Sequence, residues 1–203
     1  MYSAASFREA HRRAPAFGLG AEVLRVLIQG SSRSYPYEPL RDAATRPIDS
    51  LRSIADRITP ANLNRHPAGH DNSIAWLLWH TGRELDVQLA HLTGDDEVWR
   101  AQGFRERSGL GASGDPVGYG HSPEEARAIA VDDAAVLIDY VAACTDALLA
   151  HLDTLSEADL DDVVDRHWDP PVTRGVRLVS VIDDAAQHIA QAAYVVGMPA
   201  EAP

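Results

Sequence analysis

Lysine is absent from this chain: all 18 basic residues are Arg, set against 30 Asp and Glu, for a formal net charge of −12 over 203 residues. Lysine codons are AT-rich, so this composition points to a GC-rich genome. The shortage of positive charge excludes general binding to phosphate backbones and to anionic membrane surfaces, because both need clustered Lys and Arg. Neither a nucleic acid nor a membrane is therefore expected as a partner. Cysteine is represented by Cys144 alone, which excludes an intrachain disulfide and a cysteine-cluster zinc site. Any metal must then be held by His and carboxylates. No apolar run approaches the ~18 residues that span a membrane. The first residues carry Arg8, Arg12 and Arg13 without a signal-peptide core, so a cytoplasmic location is expected. A Gly-x-Gly-x-x-Gly fingerprint, a phosphate loop and a nucleophile elbow are missing as well.

What is present is an ordinary globular composition, 45% hydrophobic and 24% charged, with the length for one substantial core. Charge is unevenly spread, with seven Arg against four acids in residues 1–46 and the acidic excess in the remainder. Together with Pro15, Gly18, Gly20, Gly30 and the Ser31-Ser32 pair, this marks an N-terminal extension (1–36), a helical domain (37–197) and a short tail (198–203). Within the domain, apolar residues recur at helical spacing in four stretches. The first covers 38–58, with Pro47 opening or kinking it. The second follows an N-cap at Asp71, carries Ile74, Leu77, Leu78, Leu85 and Leu89, and stops at Gly94. The third opens at Ser122-Pro123-Glu124-Glu125, a cap followed by proline at the first helical position and an acid at the third, and runs to Leu152. The fourth runs from Val176 to Val196 before Gly197.

No strand-like alternation of useful length appears. The predicted fold is therefore all-α, an antiparallel four-helix bundle in which residues 94–121, with seven Gly, form a long crossover connection. Trp99 and Phe104 on that connection are expected to shape a pocket. A weak echo joins the halves: Ile58-Thr59-Pro60-Ala61-Asn62-Leu63 resembles Leu155-Ser156-Glu157-Ala158-Asp159-Leu160.

On a wheel of the fourth stretch, Asp184 and His188 border the buried arc one turn apart. That spacing suits two ligands of one ion and equally an ordinary Asp–His helix contact. His80, between Trp76 and Trp79, reads either as a packing histidine or as a third ligand. If the second and fourth helices are neighbours, His80, Asp184 and His188 form a two-His, one-carboxylate set with open positions, as catalytic metal sites have. Arg83 is a candidate to orient an anionic substrate. His121 flanks the third helix, and His66, His70, His91, His151 and His167 read as surface or packing residues.

The run Asn72-Ser73-Ile74-Ala75-Trp76-Leu77-Leu78-Trp79-His80-Thr81-Gly82-Arg83-Glu84-Leu85-Asp86 resembles the second helix of the DinB superfamily. Gly118-Tyr119-Gly120-His121-Ser122-Pro123, Arg166-His167-Trp168-Asp169-Pro170-Pro171 and Gln187-His188-Ile189-Ala190-Gln191 look like an actinobacterial branch of it. The resemblance implies a four-helix bundle holding one divalent metal through a histidine of the second helix and a His-x-x-x-His of the last. His80 and His188 then take two ligand positions, and Asp184 stands where the remaining histidine would be. It further implies zinc, with nickel or iron as alternatives, and mycothiol as co-substrate in an S-transferase or isomerase acting on a small-molecule substrate as a homodimer. Two other readings stay open: a metal-dependent hydrolase using the same ligands, and a non-catalytic dimeric bundle that binds small molecules or serves in stress.

Overall fold

Amphipathic helices with one apolar face each must bury those faces against one another. In the computed structural model, which describes residues 38–199, the four predicted stretches do so. The long helices are α1 (Glu38–Ile54), α3 (Ile74–Thr93), α7 (Ala134–Leu152) and α8 (Arg174–Gly197). Both α1 and α3 pack against α7 and α8, which closes an all-α core. The expected extension at 1–36 and residues 200–203 of the expected tail lie outside the described residues.

Local chemistry sets most of the boundaries. Helix α1 continues through a buried Pro47 and ends at Ile54 rather than at Ile58, where the chain turns extended. Ser73, not Asp71, caps α3: its Oγ accepts the Trp76 N–H at 3.1 Å, while Asp71 is paired with Arg127 at 2.7 Å. The echo in the sequence is a shared device. Thr59 N–H donates to Asn62 Oδ1 at the start of α2 (Pro60–Leu63), and Ser156 N–H donates to Asp159 Oδ2 at a 3-10 turn, Glu157–Asp161.

The third predicted helix is corrected. Ser122 and Glu125 form the expected capping box, but α6 (Pro123–Arg127) ends there and α7 starts anew from an Asp133 cap. The interruption has a distant cause. The Asn64 side chain donates to Val131 O at 2.7 Å and accepts from Val131 N–H at 3.2 Å, which takes that peptide out of any helix while Ile129 and Val131 enter the core. Nor is the chain free of strands: β1 (Val163–Asp165) and β2 (Val172–Thr173) form a small antiparallel ladder around the Trp168 loop. Among the described residues α7 is long and apolar enough to cross a membrane, which corrects the expectation that no stretch approaches such a span. Its Leu137, Tyr140, Val141, Cys144, Leu148 and Leu152 are buried, and the helix packs on α1 and α3.

The crossover is built rather than loose. It contains α4 (Val98–Ala101), α5 (Phe104–Arg107) and a 3-10 turn, Gly111–Gly114. Trp99 and Phe104 do not line a pocket as expected; both are buried with their rings about the Tyr140 ring, at centroid distances of 5.0 and 5.1 Å. Gly82 of α3 lets Tyr140 approach: a Cβ there would lie 2.4 Å from two carbons of the ring. Gly82→Ala is expected to destabilise the protein by about 1–3 kcal/mol through overpacking, read as a lower urea midpoint. An unchanged midpoint would contradict this contact.

Candidate metal centre

Three of the residues singled out in the sequence come together where α3 meets α8. His80, Asp184 and His188 each offer a ligand atom, and these atoms lie within 4.8 Å of one another. The helical spacing explains the α8 half: residues four apart stack on one face, and His188 Nε2 stands 3.5 Å from Asp184 Oδ1. From α3, the His80 ring meets the His188 ring edge-on, with centroids 4.6 Å apart.

Hydrogen bonds at the outer nitrogens determine how the imidazoles are presented. His80 Nδ1 meets the carbonyl oxygen of Val117, an acceptor only, so this nitrogen carries the proton and Nε2 keeps its lone pair. His188 Nδ1 lies 2.9 Å from the side-chain amide of Gln191, which ties its outer nitrogen as well. A metal-binding histidine normally has its second nitrogen tied in this way. The carboxylate supplies a further sign of fit: Asp184 Oδ2 is buried without a hydrogen-bond partner. A buried carboxylate oxygen left unpaired is costly unless something cationic or protic meets it.

Aromatic residues cover the His80 side of this group. The Trp76 ring stacks on His80 at 4.5 Å and turns its edge to His188 at 6.1 Å. Trp76 Nε1 donates to His121 Nδ1 at 3.4 Å, and His121 stacks on Trp79 at 5.5 Å. His121, read from sequence as a helix flank, thus belongs to the wall beside the centre. Burial is the main influence on His80 and holds its pKa below the usual 6.5. His188 is raised above 6.5, chiefly by its contact with Asp184.

Arg83 is placed differently from its expected role. The residue is buried, and its guanidinium is committed to Asp115 O, Pro116 O, Glu97, Tyr140 and Asp86. An anionic substrate has no access to it. Two clefts among the described residues, of about 550 and 430 Å³, are lined by neither His80, Asp184 nor His188. His151 lines the larger, while His91 and the exposed His167 line the smaller. Sequence reasoning missed Val117 and Gln191, since a backbone carbonyl leaves no mark in a sequence and Gln191 belonged to a motif read only for resemblance.

An all-α fold with a His/Asp/His group between two core helices, suited to hold a metal ion, defines the class. Residues 43–192 match the family model of the DinB superfamily, and the chain belongs to that superfamily. Its structure is similar to the crystal structure of a conserved protein from Enterococcus faecalis, with 38% sequence identity, a TM-score of 0.73, and coverage of 79% of this chain and 94% of that one. No curated protein matches.

The raised pKa of His188 carries a pH signature for the metal-free protein. The contact with Asp184 contributes its full stabilisation below the unfolded-state value and loses it as pH climbs through the higher folded value. Asp184→Asn is expected to move the His188 titration midpoint, followed by NMR, down toward 6.5. A midpoint that stays where it is would remove the carboxylate as the cause.

Proposed function

We propose that this protein is a divalent-metal-dependent enzyme, with His80, Asp184 and His188 as ligands and zinc as the metal, that transfers a low-molecular-weight thiol such as mycothiol to a small molecule or uses it in an isomerisation. The observation that carries the reading is the convergence of the three ligand atoms, with both outer imidazole nitrogens tied and one carboxylate oxygen unpaired. Membership of the DinB superfamily supports it. When bound, a divalent metal lowers the pKa of a coordinated thiol, so that the thiolate forms at neutral pH.

The chain's own residues supply the setting. Three protein ligands leave room for an exogenous one, the arrangement of catalytic rather than structural sites. Trp76 and Trp79 limit water around His80, which strengthens electrostatic interactions there. The sulfur must come from outside: Cys144 is fully buried on α7 and burial pushes its thiol well above the usual value, so it is no nucleophile. A donor set of two imidazoles and one carboxylate with an open position is one that catalytic zinc takes, and nickel or iron would accept it as well.

Untagged protein is expected to bind one zinc per chain, with His80→Ala and His188→Ala each weakening affinity more than about 100-fold by calorimetry, beyond the usual effect of losing an outer-shell partner. A chelator should abolish mycothiol consumption and zinc should restore it. Turnover that proceeds without any thiol would favour the hydrolase instead. Wild-type protein that binds neither zinc, nickel nor iron would leave a non-catalytic bundle.

A further inference from the structure

The crossover backbone meets His80 at Val117, and the residues just before it are held by a buried cation one turn further along α3. Asp115, Pro116 and Val117 present three successive carbonyls to the inner face of α3. Arg83 Nη2 donates to Asp115 O at 2.7 Å and Nε to Pro116 O at 3.2 Å, and the third carbonyl, Val117 O, meets His80 Nδ1. His80 and Arg83 are three residues apart on α3 and lie side by side on one face, so the same strap crosses both. Gly118 continues it with φ +94°, and a Cβ there would stand 2.8 Å from the Trp79 ring and 3.1 Å from His80 Nδ1. The strap is therefore as close to the imidazole as backbone can come.

We infer that Arg83 is a positioning residue of the metal centre: by holding the 115–117 strap it fixes the Val117 carbonyl on His80 Nδ1 and thereby sets the tautomer that presents Nε2 as ligand. A neutral imidazole free of such a partner populates both tautomers, and the one protonated at Nε2 has no lone pair there. The planar fork of arginine suits this task, because Nε and Nη2 reach two adjacent carbonyls while Nη1 remains for Glu97 at 3.0 Å and Tyr140 at 3.3 Å. Lysine has the charge without the fork.

The inference rests on the reading of His80 as a ligand, and its test begins without metal. Long-range ¹H–¹⁵N spectra of metal-free protein are expected to show wild-type His80 protonated at Nδ1. Arg83→Lys, which retains a cation beside Glu97 and Asp86, is expected to give a mixture of His80 tautomers, leave the tautomer of His188 unchanged, and lower zinc affinity about 10–100-fold, as loss of an outer-shell partner does. Gly118→Ala, which displaces the strap at His80, is expected to act alike, and a Gly118→Ala variant that keeps a pure Nδ1–H tautomer overturns the inference even should the lysine variant not fold. A wild-type His80 protonated at Nε2 overturns the inference. So do variants that lose only thermal stability while keeping a pure Nδ1–H tautomer and full zinc affinity. Wild-type protein that takes up neither zinc, nickel nor iron, yet loses the Nδ1–H tautomer in Arg83→Lys, would sink the metal reading and leave the positioning of His80 standing.

Discussion

The buried pair of Arg83 and Asp86 on one turn of α3 is the interaction on which the crossover, and through it the centre, depends. Both side chains are 2% exposed, and their closest approach, 3.5 Å, is too long to offset the desolvation of two charges by itself. Compensation comes from the backbone of the crossover. Asp86 accepts the N–H groups of Val98 and Trp99 and the Tyr140 hydroxyl, each at 2.7 Å, while Arg83 donates to the carbonyls of Asp115 and Pro116. One ion pair thus fastens the crossover at two places, Val98-Trp99 and Asp115-Pro116, and the segment between them becomes a shaped layer whose Trp99 and Phe104 complete the core around Tyr140. Burial still dominates Asp86, whose pKa is raised despite these donors. Removing either partner would strand the other charge and free the backbone it holds.

The centre is built on a contrast of environments. His80 comes from a helix whose surroundings are tryptophan rings and core, and burial keeps its imidazole neutral. His188 comes from the partly exposed border of α8 beside a carboxylate, which favours its cation. A single site therefore joins a dry neutral donor to a charged edge. Rigid helices set the spacing of the donors, and the backbone of a connecting segment sets the orientation of one of them, which is how a supporting shell makes a site more precise than its ligands alone would.

How much of this could be read from the sequence follows the range of each cause. Helices α3 and α8 were legible because apolar spacing, and for α3 the stop at Gly94, act within a few residues. The Asp184/His188 spacing was legible for the same reason, and His80 joined them only through the assumption that α3 and α8 are neighbours, which they are. The break between α6 and α7 was not legible, since it depends on Asn64, 67 residues before Val131. Arg83 was misread for a like reason: an arginine beside a candidate site suggests a substrate anion, and nothing local reveals that two distant carbonyls take its donors. The Trp168 hairpin escaped because strands of three and two residues are too short to show alternation.

A carboxylate in place of a second histidine on α8 changes more than one ligand. Two neutral imidazoles and one carboxylate bring a single negative charge to a divalent ion, so the assembled centre would keep a positive charge and continue to attract an anionic donor such as a thiolate. An all-histidine set would leave more positive charge but no anionic ligand to hold the harder cations, whereas a second carboxylate would neutralise the centre and weaken its pull on an incoming anion. The chain as a whole is strongly acidic, at −12, which repels free anions at long range. Attraction therefore has to be local, and on the His80 side tryptophan rings displace the water that would screen it. With a divalent ion bound, the single charge of Asp184 would leave a residual positive charge, and the aromatic wall on the His80 side would make it felt at the open coordination positions.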